Sequence, residues 1–128
     1  MKKELLNTFD KELLLKDICA RLPYGVKIQV PYEDGSGYFD ETVWEVNNDG
    51  PFHVNGWGIE YEYVKPYLFP LSSMTEEQEK EYNDLNCYEL GCFPHTEDAL
   101  DYLIKNHFDF RCLIEKGLAI DATGLNIY

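Results

Sequence analysis

The hydrophobic pattern at the start of the chain predicts a helix followed by a strand. Asp10 is a suitable helix N-cap, because its carboxylate can accept hydrogen bonds from free backbone amides. Apolar residues then recur at the spacing of one helix face, at Leu15, Ile18, Cys19 and Leu22. Pro23 ends this pattern, and Gly25 permits a sharp reversal. Between residues 26 and 32 apolar and polar residues alternate, which predicts a strand with one buried face.

The middle of the chain alternates in shorter stretches that turn-forming residues separate. The segment EDGSGYFDE is typical of a turn or hairpin loop, and TVWEV, PFHV and GIEYEYV are predicted strands. The turns between them are NNDG and NGWG. The segment KPYLFPLSSM contains two prolines and is predicted to leave the sheet. Short strands at this spacing predict a meander that forms a small antiparallel sheet or an SH3-like barrel.

The last part of the chain has helical periodicity. TEEQEKEYNDL has a capping box, since Thr75 is followed three residues later by Gln78. TEDALDYLIKNHF is more amphipathic: Thr96 caps it, and one face carries Leu100, Leu103, Ile104 and His107. A last short helix is predicted from Asp109 to Gly117. The sequence therefore predicts a single α+β domain over residues 1–128, with an N-terminal helix, a small sheet and two to three C-terminal helices.

Composition and charge limit the classes of function. The chain has 128 residues, 45% of them hydrophobic, which is enough for one globular domain with a core of its own. The net charge of −13 repels phosphate, which argues against direct binding of nucleic acid or of an anionic membrane. No apolar run is long enough to span a bilayer, and charges interrupt any signal-peptide core. We therefore expect a cytoplasmic protein with reduced cysteines and no cofactor.

Three segments resemble known sequences. LLLKDICARLPYGVKIQV (13–30), VKPYLFPLSSMTEE (64–77) and HFDFRCLIEKGLAIDA (107–122) are similar to a group of short proteins from gut Bacteroides-type bacteria and their phages. The resemblance covers somewhat less than half of the chain. That group has no assigned activity, so the resemblance implies a phage or mobile-element setting and no mechanism. Members of the group carry Arg-Gly where this chain has Arg111 and Cys112, which argues against an essential role for Cys112.

One segment invites a metal-site hypothesis. Cys87, Cys92 and His95 form C-x4-C-x2-H, to which His107 or Cys112 could add a ligand. Tetrahedral zinc sites usually have pairs of ligands two to four residues apart, so the first spacing is at the loose limit. Two semi-buried thiols next to the Thr96 cap explain the same residues without a metal, and we favour that interpretation.

Other chemical signatures are weaker. A calcium loop aligned on Gly50 would place Gly56 where a bidentate glutamate is required. DGSG lacks the Gly-Lys-Ser/Thr of a phosphate loop. No cysteine–histidine pair lies in a recognisable catalytic signature. The sequence thus offers no catalytic residue, and whether the protein is an enzyme stays open, with the balance against it.

The most distinctive surface features are aromatic and acidic. Trp57 lies between two glycines in a predicted loop, where it is either an exposed binding anchor or a lid folded over the core. The predicted helix at 75–85 is exposed and carries Glu76, Glu77, Glu79 and Glu81. We therefore hypothesise a non-enzymatic interaction module that binds a basic protein surface through these residues. The alternatives are a DNA mimic that inhibits a host nucleic-acid-binding protein, a zinc-stabilised module and an enzyme of unrecognised type. The oligomeric state does not follow from the sequence.

Overall fold

The protein is a mixed α/β fold in which an N-terminal helix precedes a small sheet and two later helices. The computed structural model describes residues 8–32, 34–43, 64–86, 94 and 96–128, together with the backbone of 45–46, 52–54 and 57–59. The helices are α1 (Thr8–Arg21), α2 (Glu76–Leu85) and α3 (Glu97–Lys105). The strands are β1 (Lys27–Pro31), β2 (Tyr38–Thr42), β3 (Glu45–Val46), β4 (Phe52–Val54), β5 (Trp57–Ile59), β6 (Lys65–Pro70), β7 (Phe108–Asp109) and β8 (Ile120–Asp121).

The main sheet is mixed, so the prediction of an antiparallel sheet is wrong in part. Its path runs β2-β1-β6-β7, with β8 also paired to β6. β1 is antiparallel to β2 and to β6, whereas β7 and β8 both run parallel to β6. The parallel pairings arise because the chain passes through α2 and α3 before it returns to the sheet. Strands β3, β4 and β5 pair antiparallel as a meander, as the sequence predicts, but they form a sheet separate from the main one.

The proline-containing segment is the strand at the centre of this sheet, which corrects the prediction that it leaves the sheet. Pro66 and Pro70 are the second and the last residues of β6. The backbone groups between the two prolines still form hydrogen bonds: the Phe69 amide donates to the His107 carbonyl, and the Leu68 carbonyl accepts from the Ala122 amide. β6 therefore tolerates prolines because they lie towards its ends, where fewer ladder bonds are lost.

Helix α1 packs on β1 through most of the predicted apolar stripe, and its buried face also extends to residues outside that stripe. Leu14 and Ile18 are fully buried, together with the charged residues Asp17 and Arg21. Of the predicted stripe, Ile18 is fully buried, Leu15 and Leu22 are partly buried against the core, and Cys19 is exposed. The helix also begins at Thr8, so Asp10 lies in its first turn and is not the N-cap. The buried face can include Asp17 and Arg21 because their opposite charges compensate each other.

Both later helices begin where the sequence predicts. The Thr75 side chain accepts from the Gln78 amide, and the Gln78 side chain accepts from the Thr75 amide, so the predicted capping box is present. The Thr96 side chain accepts from the Ala99 amide and donates to the Leu85 carbonyl. This second bond ties the start of α3 to the end of α2. The two helices bury Tyr82, Leu103 and Ile104 in a cluster with Phe108.

The segment after α3 is not the predicted helix. It begins with β7 and continues through turns, with Gly117 in a left-handed conformation at φ 77°. The Asp109 carboxylate nevertheless accepts from the amides of Leu113 and Ile114, as an N-cap would. Leu113 and Leu118 are drawn into a core cluster with Leu68 of β6. Burial of these leucines against β6, and pairing of β8, replace the helix that local pattern alone predicts.

Candidate functional site

The most acidic surface of the described structure is built by α2 and α3. The two helices carry eight carboxylates and two lysines in 19 residues. All eight carboxylates are solvent-exposed; they are Glu76, Glu77, Glu79, Glu81, Asp84, Glu97, Asp98 and Asp101. The four glutamates that the sequence analysis singles out all belong to this set. We call the eight residues the acidic surface.

The acidic surface has a fixed shape because the two helices are joined by side chains. The Tyr102 hydroxyl donates to Glu81 Oε2 at 2.9 Å. The Tyr82 and Tyr102 rings lie 6.4 Å apart between the helices. Burial, followed by the hydrogen bond to Glu81 and the charges of Glu81 and Glu77, raises the pKa of Tyr102 to about 12. Tyr102 therefore stays protonated at neutral pH and holds its bond to Glu81.

A buried ionic network connects α1 to the segment that follows α3. Asp17 and Arg21 are both fully buried, and Arg21 Nε donates to Asp17 Oδ2 at 2.8 Å. Arg111 Nη1 donates to the other oxygen, Oδ1, at 2.9 Å. Arg21 Nη2 also donates to the Phe108 carbonyl. Both guanidinium groups lie near the Phe110 ring, with Arg111 at 4.4 Å from the ring centroid. Buried charges of this kind stabilise a fold only as a complete set.

His107 has an unusual backbone and an unusual ring environment. It follows α3 with φ 64°, a left-handed conformation that non-glycine residues adopt at a cost. Its ring stacks on Tyr128, with centroids 3.6 Å apart and planes within 8°. Burial, followed by the charges of Arg21 and Lys27, lowers the pKa of His107 to about 4. At neutral pH the ring is therefore uncharged, and its buried Nδ1 has no hydrogen-bond partner.

Tyr128 fixes the position of the His107 ring. Its hydroxyl donates to the Tyr67 carbonyl at 2.8 Å and accepts from the Lys27 amide at 2.9 Å. Lys27 Nζ donates to the Ile127 carbonyl at 2.9 Å. Burial raises the pKa of Tyr128 to about 12, so the hydroxyl keeps the proton that it donates. These bonds hold residues 127–128 against β1 and β6.

Next to this ring stack lies a cleft of about 470 Å³. The cleft is open to solvent. It lies between three parts of the chain: the start of α2 with the residues before it, the end of α3, and residues 123–128. Its polar lining includes Ser73, Gln78, Lys105 and Asn106, and its aromatic lining includes Phe69 and Tyr128. A volume of this size suits a small molecule.

The structure places Trp57 differently from the sequence prediction. Trp57 is the first residue of β5, and its backbone pairs with Val54 of β4, so the loop placement is wrong. Whether its side chain is an exposed anchor is a question outside the described part of the chain. The glutamates Glu76, Glu77, Glu79 and Glu81 lie on α2, as predicted.

The zinc alternative concerns residues outside the described part: Cys87, Cys92 and His95. The two further residues considered as ligands do lie within it, with Cys112 exposed and His107 stacked on Tyr128. Among the described residues, no group of three or more His, Cys, Asp or Glu side chains is placed to hold a metal ion. The zinc hypothesis thus stays an untested alternative.

Sequence reasoning missed the buried network and the environment of His107. Asp17 and Arg21 have opposite charges at i and i+4, which is a recognisable signal for a helix pair. Nothing local indicated that the pair is buried, because its third member, Arg111, is 94 residues away. For His107 the signal was the preceding Asn106, the C-cap of α3, after which left-handed residues are common.

Comparison of the chain with protein-family models, with curated proteins and with solved structures finds no match. Within the described ranges, none of the helices is both long and apolar enough to cross a membrane.

Proposed function

We propose that this protein is a non-enzymatic interaction module whose acidic surface binds a basic protein surface. The observation that carries the proposal is the concentration of eight exposed carboxylates on two helices that Tyr102 and the Thr96–Leu85 bond hold in fixed relation. Clustered charge of one sign increases the association rate with an oppositely charged partner and selects against partners of the same sign.

The same proposal includes the finer expectations from the sequence. Trp57 would add an apolar contact beside the charged one, and the strands β1–β6 would approach an SH3-like barrel. The setting would be the cytoplasm of a bacterium that carries phages or mobile elements, as the resemblance of 13–30, 64–77 and 107–122 implies. These points are supported by sequence pattern and resemblance, and the charge test below does not depend on them.

The test compares two variants of equal net charge. In the first, Glu76, Glu77, Glu79 and Glu81 are all replaced by glutamine. In the control, four exposed carboxylates elsewhere are neutralised; they are Glu12, Asp34, Glu115 and Asp121. The tagged wild type is first used at low salt to capture basic host proteins, and each variant is then tested for binding to them. Cross-linking at the exposed Lys80 of α2 reports whether the bound protein contacts α2.

We expect the α2 variant to lose about tenfold in affinity, since each exposed charge contributes roughly 0.3–0.5 kcal/mol. The control variant should retain affinity within about twofold, and binding of the wild type should weaken as salt screens the charges. If both variants lose affinity equally, the acidic surface is not the site. Release of the captured partner by duplex DNA would identify it as a nucleic-acid-binding protein, which is the DNA-mimic form of the proposal.

A further inference from the structure

The cleft beside His107 differs in charge from the rest of the protein. The chain carries 24 aspartate and glutamate residues, yet none of the described residues that line the cleft is acidic. Lys105 and His107 line it, and the Arg21 guanidinium is close enough to act electrostatically on His107. Because the His107 ring is uncharged at neutral pH, Lys105 supplies the positive charge of the described cleft lining, in a molecule that is otherwise acidic. Because the surrounding field is negative, the cleft favours an anion of low charge over a polyanion such as a nucleotide triphosphate.

The polar side chains of the cleft have hydrogen-bond donors to offer. Gln78 Oε1 is occupied by the Thr75 amide at 3.0 Å, which leaves both N–H groups of its Nε2 for another partner. Lys105 is exposed and has three donors on its ammonium group. Asn106 Nδ2 is already committed to the Tyr102 carbonyl at 2.8 Å. An oxyanion is therefore the group that Gln78 and Lys105 are suited to bind.

The cleft lining also includes aromatic residues. The Phe69 ring lies 6.0 Å from the Tyr128 ring and 6.2 Å from the Phe108 ring, and all three side chains line the cleft. Tyr128 is further supported by the stacked ring of His107. A planar ring is the ligand group that such a lining accommodates best, through offset or edge-to-face contact.

We propose that this cleft binds a small aromatic monocarboxylate, with its carboxylate at Lys105 and the Gln78 amide and its ring against Phe69 and Tyr128. The left-handed His107, whose Nδ1 is buried and unpaired, supports a binding role, since a strained residue in a cleft is more often found at functional sites. None of the eight carboxylates of the acidic surface lines this cleft, so the inference does not depend on the proposed docking function.

The test is an NMR titration of the ¹⁵N-labelled protein with sodium benzoate. Acetate and benzamide serve as matched probes, because acetate lacks the ring and benzamide lacks the charge. We expect amide shifts confined to residues 73, 78, 105–108, 123–124 and 128, with a dissociation constant of about 1–10 mM for benzoate. Acetate and benzamide should each bind at least about fivefold more weakly.

Two variants of cleft residues and one control variant make the result specific. Lys105→Gln should weaken benzoate binding at least about fivefold, while Lys116→Gln, at an exposed lysine away from the cleft, should leave it unchanged. Gln78→Glu keeps an acceptor for the Thr75 amide but replaces the donors with a negative charge, so it should abolish binding while α2 stays folded. The proposal is overturned if benzoate, phenylacetate and indole-3-acetate all leave the cleft amides unshifted, or if neither Lys105→Gln nor Gln78→Glu weakens binding.

Discussion

Replacement of Asp17 by asparagine tests whether the ionic network is what joins α1 to the rest of the fold. Asp17 is fully buried, and its two oxygens accept from Arg21 and Arg111. Asp17→Asn preserves the shape but removes the charge, and it turns one acceptor into a donor that faces a guanidinium group. Arg21, which is also fully buried, would be left without a compensating charge.

The expected loss follows from this burial. Removing one member of a buried ion pair costs roughly 3–5 kcal/mol, because the remaining charge is left desolvated. Asparagine retains one acceptor oxygen, and Arg21 keeps its bond to the Phe108 carbonyl, so we expect the lower end, about 3 kcal/mol. A domain is usually stable by only about 5–15 kcal/mol, so this loss is large. With a urea m-value of about 2 kcal/mol per molar, the midpoint should fall by roughly 1.5 M.

The assay is urea denaturation at pH 7, followed by far-UV circular dichroism. Glu12→Gln is the matched control, since it neutralises an exposed carboxylate of the same helix and should change stability by less than about 0.5 kcal/mol. The double variant Asp17→Leu with Arg21→Met should lose less than Asp17→Asn alone, because no unpaired buried charge remains in α1. A loss below about 1 kcal/mol for Asp17→Asn would show that Arg21 is compensated by other means, and the reasoning would fail.

Three further predictions concern single residues. Cys112 is exposed and has a φ of 60°, so the Cys112→Gly variant should be about 1 kcal/mol more stable than Cys112→Ala in thermal unfolding. At Cys19, which is exposed in a helix, the glycine variant should instead be less stable than the alanine variant by a similar amount. The same ranking at both sites would contradict the backbone explanation. Thr75→Ala should cost about 1 kcal/mol by loss of the capping box, and Thr75→Ser should restore most of it in the same assay. For His107 the folded-state pKa, about 4, lies below the ordinary value of 6.5, so the unfolded chain takes up the proton first and stability falls as pH drops from about 6.5 to 4. Because the ring is only half-buried, we expect the free energy of unfolding to fall by about 1–2 kcal/mol over this range. The fall should be absent from the His107→Asn variant when urea midpoints are compared at pH 7 and 4.5.

The starts of α2 and α3 could be predicted from the sequence because their helix caps are local. Thr75 with Gln78, and Thr96 alone, satisfy amides within three residues, and the structure confirms both. The alternation at Ile28 and Val30 likewise identifies the buried face of β1. In each case the information lies within one element.

The errors occurred where a distant segment decides the structure. Pro66 and Pro70 predict that this segment leaves the sheet. The segment is nevertheless a strand, β6, because it pairs with β1, β7 and β8, which lie far from it in sequence. Residues 109–117 begin with a helix-like cap at Asp109, yet Leu113 and Leu118 are buried against β6. Local propensity is a weak determinant when burial of apolar side chains against a sheet competes with it.

The buried carboxylates of the described residues differ in role from the carboxylates exposed on α2. Among the described residues the buried aspartates are Asp17 and Asp109, and each has a structural task. Asp17 compensates two guanidinium groups, and Asp109 caps the turn at residues 113–114. In contrast, Glu76, Glu77 and Glu79 are exposed in the first turn of α2. There the interaction of each carboxylate with the helix dipole stabilises the helix by less than about 1 kcal/mol. At a net charge of −13 the molecule as a whole repels anions and attracts cations.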